Sequence, residues 1–81
     1  MRKDVVSINS YVTGLTIKKL REQRNMTQAM LAEKVGVSSK TISKWETGKG
    51  FPDVSVVSAL AEILGVSEKI ILSGSLVKNK A

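Results

Sequence analysis

Residues 27–46 read TQAMLAEKVGVSSKTISKWE, and this stretch decides the fold. Each half begins with a hydroxyl residue, Thr27 in the first and Ser38 in the second, that can accept hydrogen bonds from the free N–H groups of a helix start. Gly36 stands between the halves and can take the positive φ that ends a helix. The pattern therefore predicts two short helices joined by a tight turn. They cover residues 28–35 and 39–46.

The apolar spacing within this stretch predicts that the two helices cross at a steep angle. Ala32 is small enough to allow close approach, and larger apolar side chains recur where they would clamp two helices at roughly 90–120°. These side chains are Leu31, Val35, Val37, Ile42 and Trp45, and Met30 is expected on the apolar side of the first of the two helices. The spacing is typical of a helix-turn-helix, and an ordinary helical hairpin is the alternative.

Three further helices are predicted on either side of the central pair. They are helix one over residues 15–24, helix four over residues 54–64 and helix five over residues 68–72. Helix one is expected to begin near Thr13 or Gly14, and Gly65 should end helix four. Because helix four is apolar around its circumference, we expect it to be the central packing element, with a buried strand as the minor alternative.

The two ends of the chain carry no sustained periodicity. We therefore expect a flexible N-terminal arm over residues 1–14, a single domain over residues 15–72, and a linker or tail over residues 73–81. A further domain beyond the tail is left open.

The composition is that of one small domain, because 81 residues can bury only a modest core. Neither cysteine nor histidine occurs, so disulfides and the usual zinc ligands are missing, and no cofactor or metal site is predicted. The chain also lacks an apolar run of roughly 18 residues, which favours a soluble, cytoplasmic protein with no membrane partner.

Positive charge is concentrated in one half of the predicted domain. Residues 15–50 carry eight basic side chains against three acidic ones, whereas residues 51–72 carry one basic against three acidic. Such a distribution suits a face that binds a polyanion. The alternative is a solvent-exposed basic surface that binds no partner.

Residues 15–72 resemble the DNA-binding domains of the phage repressor/Cro-like (XRE-like) helix-turn-helix family. The resemblance is carried by the TQ pair at 27–28, SKWE at 43–46 and a GKxxP-like segment at 48–52. Two positions depart from the family pattern: the family often has acidic residues where this chain has Ala29 and Met30, and it often has glycine where this chain has Asn25. The resemblance implies an all-α, five-helix lambda-repressor-like domain that lays helix three in the major groove.

The resemblance also implies which residues contact DNA. Base edges would be met by the outward residues around helix three, which are Ser38, Ser39, Lys40 and Lys44. Phosphates would be contacted by Arg21, Thr27, Gln28, Thr41, Thr47 and Lys49. Thr41 could instead meet a thymine methyl group, and Lys40 or Lys44 is expected to lie over a guanine. A solvated helix face is the alternative for each residue.

The family pattern further suggests that Arg21 pairs with Glu46, between helix one and the end of helix three. The pair would orient Arg21 beside a phosphate and neutralise Glu46, which would otherwise repel DNA. As a surface pair it would add only about 0–1 kcal/mol of stability, so its value would lie in positioning. Trp45 is expected in the core, because it lies on the Ile42 side of its helix.

These features predict a bacterial or phage transcriptional regulator, expected to be a repressor, that binds a double-stranded DNA operator as a homodimer. The half-sites would lie about 34 Å apart, and helix five or a further domain would supply the dimer contact. An enzyme is not expected, because no nucleophile–base pair is visible and Gly48-Lys49 lacks the rest of a P-loop. The alternatives are a protein-interaction module, such as an antitoxin or a regulatory subunit, and a membrane-surface helix.

Overall fold

The computed structural model describes residues 9–73. These residues form five α-helices and no strand: α1 Ser10–Gln23, α2 Gln28–Val35, α3 Ser39–Glu46, α4 Val54–Leu64 and α5 Glu68–Ser73. The prediction of an all-α, five-helix domain is confirmed, and α2, α3 and α4 have the predicted bounds. No helix within the described range is long and apolar enough to cross a membrane.

Helix α1 begins earlier than the sequence suggested. Asn9 is its N-cap, and the side-chain oxygen of Asn9 accepts hydrogen bonds from the backbone N–H groups of Tyr11 at 2.9 Å and Val12 at 3.2 Å. The predicted start near Thr13 or Gly14 is therefore wrong, and residues 10–14 of the expected arm are helical. The rest of that arm, residues 1–8, and most of the predicted tail, residues 74–81, lie outside the described residues.

Gly14 misled the prediction because a glycine inside a helix normally weakens it. In the structure, a Cβ on Gly14 would lie 1.9 Å from the carbonyl oxygen of Trp45 and 3.1 Å from the Cα of Glu46. Glycine is thus required at this position, where the backbones of α1 and α3 approach each other. The cause is a tertiary contact, and the local sequence does not reveal it.

The core is aliphatic and draws on every helix. Its large, fully buried apolar side chains are Ile17, Leu20, Leu31, Ile42, Leu60, Leu64 and Ile71. The most extensive helix contacts are those of α3 with α1 and with α2, whereas α4 packs mainly on α2 and α5. The prediction that α4 is the central packing element is wrong, because α3 makes the most extensive contacts with other helices. Helix α4 supplies more buried apolar side chains than any other helix, Val57, Leu60, Ala61 and Leu64, but its other sides are exposed. Val54, for example, is 80% exposed.

The turns between helices form as the sequence predicted. Asn25 takes a left-handed conformation with φ of 56° after α1, and Gly36 and Gly65 take φ of 91° and 72° after α2 and α4. Ser67 accepts a hydrogen bond from the N–H of Ile70 at 3.4 Å, at the start of α5. The turn at Gly36 sets the angle between α2 and α3, and so the position of the candidate site.

Candidate DNA interface

Helix α2 is anchored at its first residue by the side chain of Thr27. The hydroxyl of Thr27 accepts a hydrogen bond from the N–H of Met30 at 3.0 Å, and the sulfur of Met30 accepts the N–H of Thr27 at 3.5 Å. Met30 is 45% exposed, so its assignment to the buried side of α2 is wrong. It folds over the helix start, whereas Leu31 and Ala32 are buried as predicted.

The turn into α3 is built from the predicted residues. The backbone N–H groups of Gly36 and Val37 both donate to the carbonyl of Ala32, at 2.8 and 3.0 Å. Ser38 then caps α3, since its hydroxyl accepts the N–H of Thr41 at 3.2 Å and shares a hydrogen bond with the Thr41 hydroxyl at 3.1 Å. The half-buried Thr41 is therefore tied to the cap.

The outer face of α3 gathers the residues predicted to read bases. Ser38, Ser39, Lys40 and Lys44 are all exposed, and the last two are one helical turn apart on the same side. Every ion pair among residues 9–73 includes Arg21. The ammonium groups of Lys40 and Lys44 therefore form no ion pair with a described residue. Within the described residues, the structure thus places three uncommitted donor side chains, those of Ser39, Lys40 and Lys44, on one solvent-facing surface beside the Ser38 hydroxyl that caps α3.

The inner face of α3 ends in a buried polar network. Glu46 accepts two hydrogen bonds from Arg21, from Nε to Oε2 at 2.7 Å and from Nη2 to Oε1 at 3.0 Å. The side-chain amide of Gln28 donates to the same Oε1 at 2.9 Å, and Arg21 Nη1 donates to the carbonyl of Met26 at 2.7 Å. One carboxylate therefore connects α1, α2 and α3.

This pair is not the surface pair that was expected. Arg21 is only 8% exposed and Glu46 only 5% exposed. The hydrogen bonds to Glu46 raise the pKa of Arg21 above its ordinary value, and burial only partly offsets this effect. The guanidinium stays charged. Removing its partner Glu46 should lower the stability of the fold strongly, because it would leave an uncompensated buried charge. The sequence could not show the Met26 carbonyl, since a backbone acceptor carries no residue signature.

The start of α2 lies on one flank of the outer face of α3, and the loop of residues 47–50 lies on the other. The Thr47 hydroxyl donates inward, to the carbonyls of Ser43 at 2.9 Å and Lys44 at 3.2 Å. The N–H of Lys49 donates to the carbonyl of Lys44 at 2.9 Å, and the side chain of Lys49 is exposed. The loop is therefore fixed to α3 by its backbone, with the ammonium group of Lys49 left on the surface.

Comparison with known proteins agrees with this geometry. The family described as Helix-turn-helix matches residues 17–71, which is most of the chain. The chain belongs to this family. The match covers all of α2, α3 and α4, so the central stretch was interpreted correctly, and the resemblance to phage repressor domains is confirmed.

Two related proteins and one solved structure illustrate the relationship. The HTH-type transcriptional activator BcrR of Enterococcus faecalis is 40% identical over 58 residues, covering 72% of this chain and 28% of BcrR. Repressor protein C2 of Salmonella phage P22 is 33% identical over 69 residues, covering 85% of this chain and 32% of C2. A crystal structure of the P22 c2 repressor with a synthetic operator superposes with a TM-score of 0.74 and 34% identity, over 76% of this chain and 94% of that chain.

Hydroxypropylphosphonic acid epoxidase from S. wedmorenis also contains a domain of this fold. The likeness has a TM-score of 0.74 and 29% identity, and it covers 80% of this chain but only 35% of the epoxidase. The chain likewise spans only 28% of BcrR and 32% of C2. The similarity therefore identifies a domain, and longer proteins carry that domain together with other parts.

Proposed function

We propose that this domain binds double-stranded DNA sequence-specifically, with α3 in the major groove, as part of a transcriptional regulator. The observation that carries the proposal is the outer face of α3, where exposed Lys40 and Lys44 lie one turn apart beside Ser38 and Ser39. A helix fits the width of the major groove, and lysine donates to the O6 and N7 atoms of guanine. The relatives named as an activator and a repressor support the same assignment.

The two flanks of α3 are proposed to hold the DNA backbone. On one flank, the Thr27 hydroxyl accepts the helix-capping bond, so its own hydrogen is available to a phosphate. On the other flank, Lys49 offers its ammonium group, and Thr47 can contact a phosphate only if its hydroxyl turns away from α3. The Thr41 hydroxyl is hydrogen-bonded to the Ser38 hydroxyl, so any phosphate or thymine methyl group that it contacts must lie next to the Ser38 cap.

Gln28 is the best-oriented of the proposed phosphate contacts. One amide hydrogen of Gln28 is engaged by Glu46, which fixes the side chain and leaves the second amide hydrogen for a phosphate. Arg21 uses three of its five N–H groups within the buried network, leaving two for a phosphate. We propose that Arg21 acts mainly by positioning Glu46 and Gln28. Glu46 is the orienting residue.

The regulator is proposed to be a cytoplasmic, non-enzymatic repressor from a bacterium or phage, acting as a homodimer with half-sites about 34 Å apart. Helix α5 offers little surface for the dimer contact, because Ile71 is fully buried and Ile70 and Leu72 are half-buried. A further domain beyond this chain is therefore the better source of that contact. The greater length of the relatives supports this arrangement.

A protein-interaction module is the second candidate function. It is favoured by the epoxidase, in which a domain of this fold is part of an enzyme chain. In that case the lysines of α3 would serve solubility, and binding to DNA would be weak and independent of sequence.

Selection from a pool of random duplexes tests the proposal. We expect an enriched, two-fold-related sequence, whose half-site spacing also reports the dimer. Binding to it should weaken with salt, with a log–log slope near −0.9 for each phosphate neutralised. The absence of any enriched sequence would instead favour the protein-interaction module.

The Lys40→Ala plus Lys44→Ala variant should lose binding to the selected duplex. Each good lysine–base contact contributes about 1–3 kcal/mol of discrimination. The matched control is Lys19→Ala plus Lys69→Ala, which removes the same charge from exposed positions on α1 and α5. If both variants lost affinity equally, net charge rather than the outer face of α3 would account for binding.

A further inference from the structure

We propose that Tyr11 is an additional DNA-contacting residue, whose hydroxyl donates to a backbone phosphate beside the loop of residues 47–50. The inference rests on the proposed DNA binding and extends the interface from α2 and α3 to the first turn of α1. Tyr11 is 60% exposed, so the core makes little use of its ring. Tyrosine hydroxyls are among the side-chain donors that proteins use for phosphate oxygens.

Tyr11 lies directly over Gly48. A Cβ on Gly48 would be 3.1 Å from the Cα of Tyr11, 3.3 Å from its Cδ1 and 3.4 Å from its Cβ. Gly48 also has a φ of +77°, a conformation that side-chain-bearing residues rarely adopt. The glycine therefore lets the backbone and ring edge of Tyr11 rest on the loop.

The loop under Tyr11 has a fixed position relative to α3. The N–H of Gly48 donates to the carbonyl of Trp45 at 3.1 Å, and the N–H of Lys49 donates to the carbonyl of Lys44 at 2.9 Å. Gly14, about one turn along α1 from Tyr11, is in turn pressed against the Trp45 carbonyl. Tyr11 thus rests on Gly48, which precedes Lys49 in a loop whose backbone is hydrogen-bonded to α3 at Lys44 and Trp45.

The surroundings of Tyr11 favour an anion. Lys18 lies two turns further along α1 on the same side and is exposed, as is Lys49 in the adjacent loop. An exposed aromatic ring, with one exposed lysine on its own helix and another in the adjacent loop, suits a DNA backbone whose phosphates would be neutralised by the lysines and would accept a hydrogen bond from the phenol. Because the phenol is neutral, it should strengthen binding without releasing a counterion.

The test compares the wild-type chain with Tyr11→Phe and Tyr11→Ala on a mixed-sequence duplex of about two helical turns. Phosphate contacts carry no sequence information, so the operator is not needed. Tyr11→Phe should bind about tenfold more weakly at every salt concentration, equivalent to roughly 1.4 kcal/mol, with an unchanged salt slope and an unchanged Tm. Lys49→Ala is the charged comparison, and it should lower the slope by about 0.9.

The variants separate a contact from mere packing. If Tyr11→Phe bound like the wild type, with or without a lower Tm for Tyr11→Ala, the ring would only pack on the loop and the inference would be overturned. Normal wild-type binding in that experiment would leave the proposed function intact. A wild-type chain that bound no duplex would overturn the proposed function, and this inference with it.

Discussion

The inner and outer faces of α3 differ in what fixes their geometry. On the inner face, Ile42, Trp45 and Glu46 are buried and held by packing and by the Arg21 network. On the outer face, Lys40 and Lys44 are exposed and make no ion pair with any described residue. The inner face therefore determines where the helix lies, and the outer face determines only what it presents. Substitutions on the two faces should separate stability from recognition.

The largest effect is expected from breaking the inner face at Glu46. Glu46→Ala should destabilise the fold by about 3–5 kcal/mol, because it leaves the buried guanidinium of Arg21 without its carboxylate. A small domain has only about 5–15 kcal/mol in total, so the variant should unfold at much lower urea concentration. Urea denaturation followed by circular dichroism measures the change.

A double variant shows that the cost comes from the unpaired charge. Arg21→Met plus Glu46→Leu replaces the pair by apolar side chains and should recover most of the lost stability. DNA binding by the double variant should be weaker than that of the wild type, because Gln28 loses the acceptor that orients it. A loss below about 1 kcal/mol for Glu46→Ala alone would mean that water already reaches the pair, as in a surface ion pair.

The next effect concerns the approach of α1 to the inner face. Gly14→Ala should cost about 2–3 kcal/mol, because the added Cβ would meet backbone atoms of Trp45 and Glu46 that cannot turn aside. The gain in helix propensity, about 1 kcal/mol, offsets only part of this cost. Thermal unfolding should show a lower Tm.

Gly50→Ala is the matched control for that substitution. Its added Cβ would lie 3.6 Å from Trp45 Cδ1 and 3.8 Å from the Cβ of Lys44, which are ordinary contacts. We expect a change within about 0.5 kcal/mol. Equal costs at both glycines would show that the close approach of α1 and α3 is not what constrains Gly14.

The comparison also explains which features the sequence could reveal. The caps at Thr27 and Ser38 and the turn at Gly36 are local signals, and they predicted α2 and α3 correctly. The start of α1 was missed, because the benefit of Gly14 arises from α3, which is distant in the sequence. The pairing of Arg21 with Glu46 was predicted from the family resemblance. The burial of the pair was not, because it depends on the close approach of α1 and α3.

The outer face was easier to predict than the inner one, for a physical reason. Exposure of Lys40 and Lys44 follows from the helical period, once Ile42 and Trp45 are assigned to the core. Their partners do not follow, because a lysine ammonium is compatible with a phosphate, a guanine or water. Tyr11 was assigned to an arm, and no local signal indicated that Gly48 would lie beneath it.

The smallest effect on stability, with a clear effect on recognition, is expected from Lys40→Gln plus Lys44→Gln. Both side chains are exposed and unpaired among the described residues, so stability should change by no more than about 0.5 kcal/mol. Glutamine, however, forms paired hydrogen bonds with N6 and N7 of adenine, whereas lysine prefers guanine. Selections from random duplexes with both proteins should therefore show guanine replaced by adenine at the affected positions. An unchanged selected sequence would assign base reading to the serines, and the lysines would then serve only the phosphates.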